Sequence, residues 1–265
     1  MDTIQQKRNE RHEWLENLEF FDAFCRLYKD CNCETVNPAD APETLIAEMD
    51  RYGVSKAMVC HGNAPTSGAA FTNDFLKEAT IKFSERIVGL WYFLPEQCPE
   101  LPGVDKLFDE MKKANIAALS LNPTAHRWTA SKISIGRIMA AATERKVPVY
   151  ISTTIGGWQW IYNLMEMFPN ATTVVTDLGL WGSDRNLRPL LENYPNLHAE
   201  LSQYWVPEGI ADMVKLYGAE RLLYASNMPR FGFGSTMFNL INQPISYKEI
   251  SMIASENIKR LIAWK

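Results

Sequence analysis

Residues 196–227 read NLHAELSQYWVPEGIADMVKLYGAERLLYASN. Asn196–Ser202 is a mostly apolar run of strand length, Pro207–Ala219 carries helical spacing, and Arg221–Asn227 is a second strand. Strand, helix and strand in that order make one βα step, and apolar strands of this kind belong to a parallel sheet covered by helices.

The same step repeats back toward the N-terminus. TTVVTDLG (172–179) precedes DRNLRPLLENYP, VPVYIST (147–153) precedes GWQWIYNLMEMFP, and IAALSL (116–121) precedes SKISIGRIMAAATERK. RIVGLWYF (86–93) precedes VDKLFDEMKKAN, VSKAMVC (54–60) precedes FTNDFLKEATIKFSE, and LEFFDAF (18–24) precedes APETLIAEMDRYG. In this last helix Leu45, Ile46, Met49 and Tyr52 share a face, and Gly53 reads as the stop. Thr72 or Asn73 reads as the cap of the helix after the second strand. One long helix closes the chain over 246–264, and residues 3–17 form a polar helix ahead of the first strand.

Strands thus start near 19, 54, 86, 116, 147, 172, 196 and 221. Eight such units favour a closed (β/α)8 TIM barrel over an open doubly wound sheet. No linker rich in Pro, Gly or Ser interrupts them. The expected organisation is an N-terminal helical extension over 1–18 and a single barrel over 19–265.

Composition narrows the function classes. The chain has 265 residues, 46% hydrophobic and 22% charged, with a formal net charge of −4. That balance, with no basic stretch, excludes a nucleic-acid partner. No apolar run approaches the ~18 residues of a membrane span. The opening residues are polar and lack the apolar core of a signal peptide. Five cysteines, Cys25, Cys31, Cys33, Cys60 and Cys98, form no even disulfide framework, so a reducing, cytoplasmic setting is expected.

The stretch Leu190–Pro229, LLENYPNLHAELSQYW followed by EGIADMVKLYGAERLLYASNMP, resembles the amidohydrolase-related family of metal-dependent hydrolases and decarboxylases. MDRYGVSKAMV (49–59) and NDFLKEATIKFSERIVGLWYFLPE (73–96) look like that family's second and third units. The resemblance covers nearly all of the chain after Glu19. It implies a TIM barrel that hydrolyses or decarboxylates a small organic acid or ring compound.

The family's metal-binding pattern is altered at every strand that should carry it. The first strand's D-x-H-x-H becomes Asp22-Ala23-Phe24-Cys25-Arg26, and the fifth-strand histidine falls at Ser152 or Thr153. The sixth-strand H-x-G becomes Asp177-Leu178-Gly179, and the last-strand aspartate becomes Asn227. Phenylalanine cannot ligate a metal and arginine repels one. The expectation is therefore a site without catalytic zinc or manganese, in which Arg26 pairs with Asp177.

In a TIM barrel the active site lies at the C-terminal ends of the strands. The catalytic candidates there are Asp177, His61 and His126, since carboxylates and imidazoles move protons near neutral pH. The substrate-binding candidates are Arg26, Asn227, Arg230, Tyr204 and Trp128. Arg26 would grip an anionic group of a small-molecule ligand through its planar fork. Cys31 and Cys33 with Cys60 or His61 offer soft-metal chemistry at a spacing that matches no standard zinc knuckle. The aromatic residues near the strand ends suit an apolar pocket or a homodimer interface. Two readings stay open: an enzyme, whose polar groups converge on an open pocket, and an inactive barrel kept for binding or assembly, whose mouth is filled.

Overall fold

The computed structural model describes residues 3–28, 41–64, 66–180 and 183–265. Its eight strands are β1 (Phe20–Leu27), β2 (Val54–His61), β3 (Ile87–Tyr92), β4 (Ile116–Ser120), β5 (Val149–Ser152), β6 (Thr173–Thr176), β7 (Leu197–Glu200) and β8 (Leu222–Leu223). They pair in parallel and in chain order. The chain beyond β8 closes the circle against β1. Ala23 N–H donates to Tyr224 O at 2.9 Å, Asn227 N–H to Phe24 O at 2.9 Å, and Arg26 N–H to Met228 O at 2.7 Å. The fold is the expected (β/α)8 barrel.

The helices on the outside are α1 (Thr3–Asn17), α2 (Pro42–Tyr52), α3 (Ala69–Lys82), α4 (Val104–Lys113), α5 (Lys132–Glu144), α6 (Gly157–Met167), α7 (Asp184–Asn193), α8 (Gly209–Tyr217), α9 (Phe233–Ile241), α10 (Tyr247–Ser251) and α11 (Asn257–Leu261). Two hydrophobic layers result. Leu45, Met49, Val59, Ile116, Ile135, Val149 and Leu197 belong to the layer between strands and helices. Phe21, Ala23, Met58, Leu90, Ala118, Tyr150 and Val174 belong to the barrel interior. Alternate residues of a strand face opposite sides, which is how one sequence serves both layers.

β1 departs from strict alternation, and the departure shapes the mouth. Its register against β2 shifts between Asp22 and Cys25, so Asp22 lies opposite Ala57 and Cys25 opposite Val59. The extra residue is a bulge. It sends Cys25 into the outer layer while Phe24 and Arg26 both reach the mouth cavity.

Two expectations are corrected. The helix after β2 begins at Ala69, behind Gly68, so neither Thr72 nor Asn73 caps it. Asn73 instead pairs with the backbone of Tyr92, donating from Nδ2 to its carbonyl at 2.8 Å and accepting its N–H at 3.0 Å. The closing helix is not continuous: a π-helical turn, Met252–Glu256, separates α10 from α11. There the Ile253 carbonyl accepts the Tyr224 N–H at 2.9 Å. Asn257, just after the turn, donates to Ala219 O at 2.7 Å and Leu222 O at 2.9 Å. The turn trades helical regularity for anchorage to β8.

The polar helix α1 docks through few residues. Trp14 meets Tyr247 edge-on at 5.5 Å, and Arg11 lies over the Trp14 ring while donating to Gln243 O at 3.2 Å. Among the described residues no helix is long and apolar enough to cross a membrane.

Candidate functional site

Two left-handed corners build the mouth. Asp177, directly after β6, has φ 55°, and Asn227, after β8, has φ 54°. Aspartate and asparagine tolerate this region better than other non-glycine residues. The two side chains meet: Asn227 Nδ2 donates to Asp177 Oδ1 at 2.9 Å. Asn227 Oδ1 accepts a hydrogen bond from Arg26 Nη1, which fixes the amide's orientation. The Arg26 guanidinium also stands 3.7 Å from Asp177 Oδ2.

Asp177 is well supplied with donors. Besides Asn227, Gln203 Nε2 donates to Oδ1 at 2.9 Å, Ser152 Oγ to Oδ2 at 2.6 Å, and Thr176 Oγ1 to Oδ2 at 3.3 Å. Arg230 Nη1 lies 3.9 Å from Oδ1. Below this layer sit two fully buried carboxyls, Asp22 and Glu200. Burial pushes both pKa values up to about 7, against hydrogen bonds that favour their ionised forms.

A cavity of about 380 Å³ opens over this cluster. Arg26 and Asp177 are the charged groups among its described lining residues. Phe24, Tyr92 and Tyr150 supply aromatic surface, and Ser120, Asn122, Thr124, Ser152 and Thr154 supply a polar wall from the β4 and β5 ends. Burial raises both phenol pKa values, so Tyr92 and Tyr150 stay protonated across the neutral range. The size and the mix of apolar surface with a few polar groups suit a small-molecule site.

Of the residues singled out from the sequence, Arg26 and Asp177 line the cavity, while Asn227 and Arg230 reach them from behind and beside. The other four are not among the lining residues. His61 stacks on Tyr28 at 4.9 Å, and burial lowers its pKa. His126 lies edge-on to Tyr92 at 5.7 Å with Nε2 2.8 Å from Ala64 O, and its buried Nδ1 has no hydrogen-bond partner among the described residues. Trp128 packs near Phe93, and the Tyr204 hydroxyl donates to Asp184 at 2.6 Å on the helical side. Cys31 and Cys33 lie outside the described residues.

Sequence reasoning missed Tyr150 and Ser120 as lining groups; it set Tyr92, Asn122, Asp22 and Glu200 near the strand ends without showing that the first two line the cavity and the last two lie outside its lining. Inward parity at the ends of β3, β4 and β5 would have pointed to the lining residues. An acid inside an otherwise apolar strand was the available signal for Asp22 and Glu200.

Phe24 and Arg26, which the sequence resemblance sets at the first-strand ligand positions, offer no metal donor. The Arg26 cation faces Asp177 at 3.7 Å. Among the described residues no three of His, Cys, Asp and Glu come together as a ligand set.

Comparison with solved structures finds the same architecture. A 2,6-dihydroxybenzoate decarboxylase from Rhizobium matches with a TM-score of 0.71 at 13% identity, covering 92% of this chain and 98% of that one. A 5-carboxyvanillate decarboxylase from Sphingomonas paucimobilis matches with a TM-score of 0.65 at 14% identity, over 93% and 99% of the two chains. A probable 2-pyrone-4,6-dicarboxylic acid hydrolase from Acinetobacter baumannii, with citric acid bound, matches with a TM-score of 0.69 at 12% identity, over 92% and 99%. Identities this low speak for the fold alone. None of the curated proteins matches the chain. The family model described as Amidohydrolase matches residues 36–264. The chain belongs to the amidohydrolase family.

Proposed function

We propose that this protein binds a small organic acid or ring compound in the barrel mouth and hydrolyses or decarboxylates it without the family's metal. The observation that carries this reading is the open cavity of about 380 Å³ with Arg26 and Asp177 side by side on its wall. A guanidinium fork suits a carboxylate, and Phe24, Tyr92 and Tyr150 offer surface for an apolar ring. Asp177 is the carboxylate that can move a proton at the ligand. In hydrolysis it takes one from the attacking water. In decarboxylation the bond to the carboxylate breaks, the carbon keeps the electron pair and takes a proton that Asp177 relays from water, and the hydroxide left behind joins the CO2 as bicarbonate.

A second reading has its own observation. Each oxygen of Asp177 accepts two hydrogen bonds from the described side chains. Two hydrogen bonds per oxygen fill the acceptor positions of a carboxylate, which turns Asp177 to the protein rather than to a ligand. A mouth that binds the ligand without turning it over accounts for that arrangement.

The test is a panel of small carboxylates offered to chelator-treated protein. Benzoate, 2,6-dihydroxybenzoate, 2-pyrone-4,6-dicarboxylate and citrate are scored by thermal shift and then followed by proton NMR for loss of substrate. Turnover under chelator supports the enzyme reading. Stabilisation without turnover supports the binding reading. No stabilisation by any of them contradicts both.

A further inference from the structure

Asp22 and Glu200 are fully buried, and neither lines the cavity. Each nevertheless bridges two neighbouring strand ends. Glu200 Oε1 accepts the Asp177 N–H at 2.8 Å, and its Oε2 accepts the Ser202 N–H at 2.8 Å. That ties the end of β6 to the end of β7. Asp22 Oδ1 accepts the N–H groups of Phe24 at 2.9 Å and Ser226 at 3.0 Å, and Oδ2 accepts the Ser226 hydroxyl. Ser226 Oγ in turn accepts the Met228 N–H at 3.0 Å, so the chain is held on both sides of Asn227. That ties β1 to the chain after β8.

The residues carried by these two bridges are the ones that meet at the mouth. The β6–β7 bridge carries Asp177 and Gln203, and the β8–β1 bridge carries Asn227 and Arg26. Across the gap, Asp177 accepts from Gln203 and Asn227, and Asn227 accepts from Arg26. Both corners have φ above +50° outside glycine, a conformation that persists only where the surroundings enforce it. Backbone N–H groups donating to a carboxylate form the stronger, charge-assisted class of hydrogen bond.

We infer that Glu200 and Asp22 are positioning residues: from beneath the cavity they fix the left-handed corners at Asp177 and Asn227, and so set the spacing of the Arg26 and Asp177 groups that face the ligand. The inference rests on the binding role proposed for the mouth. An isosteric amide separates positioning from packing. Glutamine keeps the volume of Glu200 but offers one acceptor oxygen where two N–H groups need one each. Its own N–H2 would face the second.

The experiment uses the full chain as wild type, Glu200→Gln and Asp22→Asn, with Gly89→Ala as a control that strains β3 away from the mouth. Benzoate affinity is measured by calorimetry, and the amide resonances of Asp177, Ser202, Phe24 and Ser226 by NMR. Glu200→Gln is expected to move the Asp177 and Ser202 amides upfield and to weaken benzoate binding about tenfold, the lower end for loss of a supporting hydrogen bond. Asp22→Asn keeps one oxygen for the Phe24 and Ser226 N–H groups but without the carboxylate charge, and replaces the acceptor of the Ser226 hydroxyl with an amide, so those two amides are expected to move upfield and the affinity to fall, both by less. The control should lower stability and leave affinity and all four resonances in place. Unmoved resonances, or affinity equal to wild type in both amide variants, overturn the inference. If an amide variant does not fold, wild-type hydrogen exchange decides: exchange at Asp177 and Ser202 as fast as in exposed loops overturns it, and strong protection upholds it. A wild type that fails to bind benzoate counts against the role of the mouth, while the resonances still judge the positioning.

Discussion

Residue by residue, the proposed binding rests on Arg26 and Asp177. The side chains are 10% and 1% exposed, so their charges are screened little by solvent. Arg26→Met removes the cation but leaves Asp177 with its four side-chain donors. The cost should be about 1–3 kcal/mol in urea unfolding, below the ~3–5 kcal/mol typical for breaking a buried pair, and anion binding should be lost. A variant with unchanged anion affinity would remove Arg26 from the site. Asn227→Asp, which restores the residue of the family pattern, replaces the amide donor to Asp177 with a second carboxylate. It should destabilise the protein at neutral pH by about 1–3 kcal/mol and recover partly at pH 4, as read by thermal unfolding across pH.

The buried acids carry a pH signature of opposite sign to an ordinary salt-bridged carboxylate. Burial raises Glu200 from 4.5 and Asp22 from 3.8, each to about 7. A raised folded pKa contributes stability that is fully present below the unfolded value and is lost as pH rises through the folded one. The stability of wild type relative to Glu200→Gln should therefore fall between about pH 4.5 and pH 7 and stay level above. A difference that grows with pH would contradict a Glu200 whose burial outweighs its hydrogen bonds. Arg26 and Asp177 were legible in the sequence because a family pattern marks their positions. Asp22 and Glu200 were not legible as supports, because their partners are backbone N–H groups brought close only by the closed barrel.

At the scale of the element, the strands were readable and the exceptions have local causes. Apolar runs bounded by helices of regular spacing place all eight strands, since burial on both faces demands such runs. Helix α9 was not expected from the sequence, since Gly232 and Gly234 at its start disfavour a helix, yet Phe233, Met237 and Leu240 bury its inner face. The break in the last helix was invisible, because it serves hydrogen bonds to β8 rather than a helix-breaking residue. Asn73 looked like a cap because caps and backbone mimics use the same residue types. Close packing of elements can be tested at Gly89, where an added Cβ would lie 2.2 Å from Ile116 Cδ1 and 3.0 Å from Thr80 Cγ2. Gly89→Ala should cost about 1–3 kcal/mol through overpacking, and Ile116→Val in the same chain should restore part of it. Additive losses in the double variant, read by urea unfolding, would contradict this contact.

At the scale of the whole molecule, closure of the barrel is what makes a site from residues far apart in the chain. Arg26 and Asn227 meet only because the chain after β8 pairs with β1. The family membership accounts for this frame, and the residues at the strand ends set the lining of its mouth. There a guanidinium, aromatic rings and hydroxyls surround one carboxylate. On the proposed reading this cavity takes a small organic acid by the charge of Arg26 and not by a metal. Calorimetric titration of 2,6-dihydroxybenzoate and benzoate into chelator-treated protein separates the two. Saturable binding near one ligand per chain is expected, lost in Arg26→Met and unchanged when zinc or manganese is restored. Binding that appears only after metal is added, and that survives loss of Arg26, would contradict it.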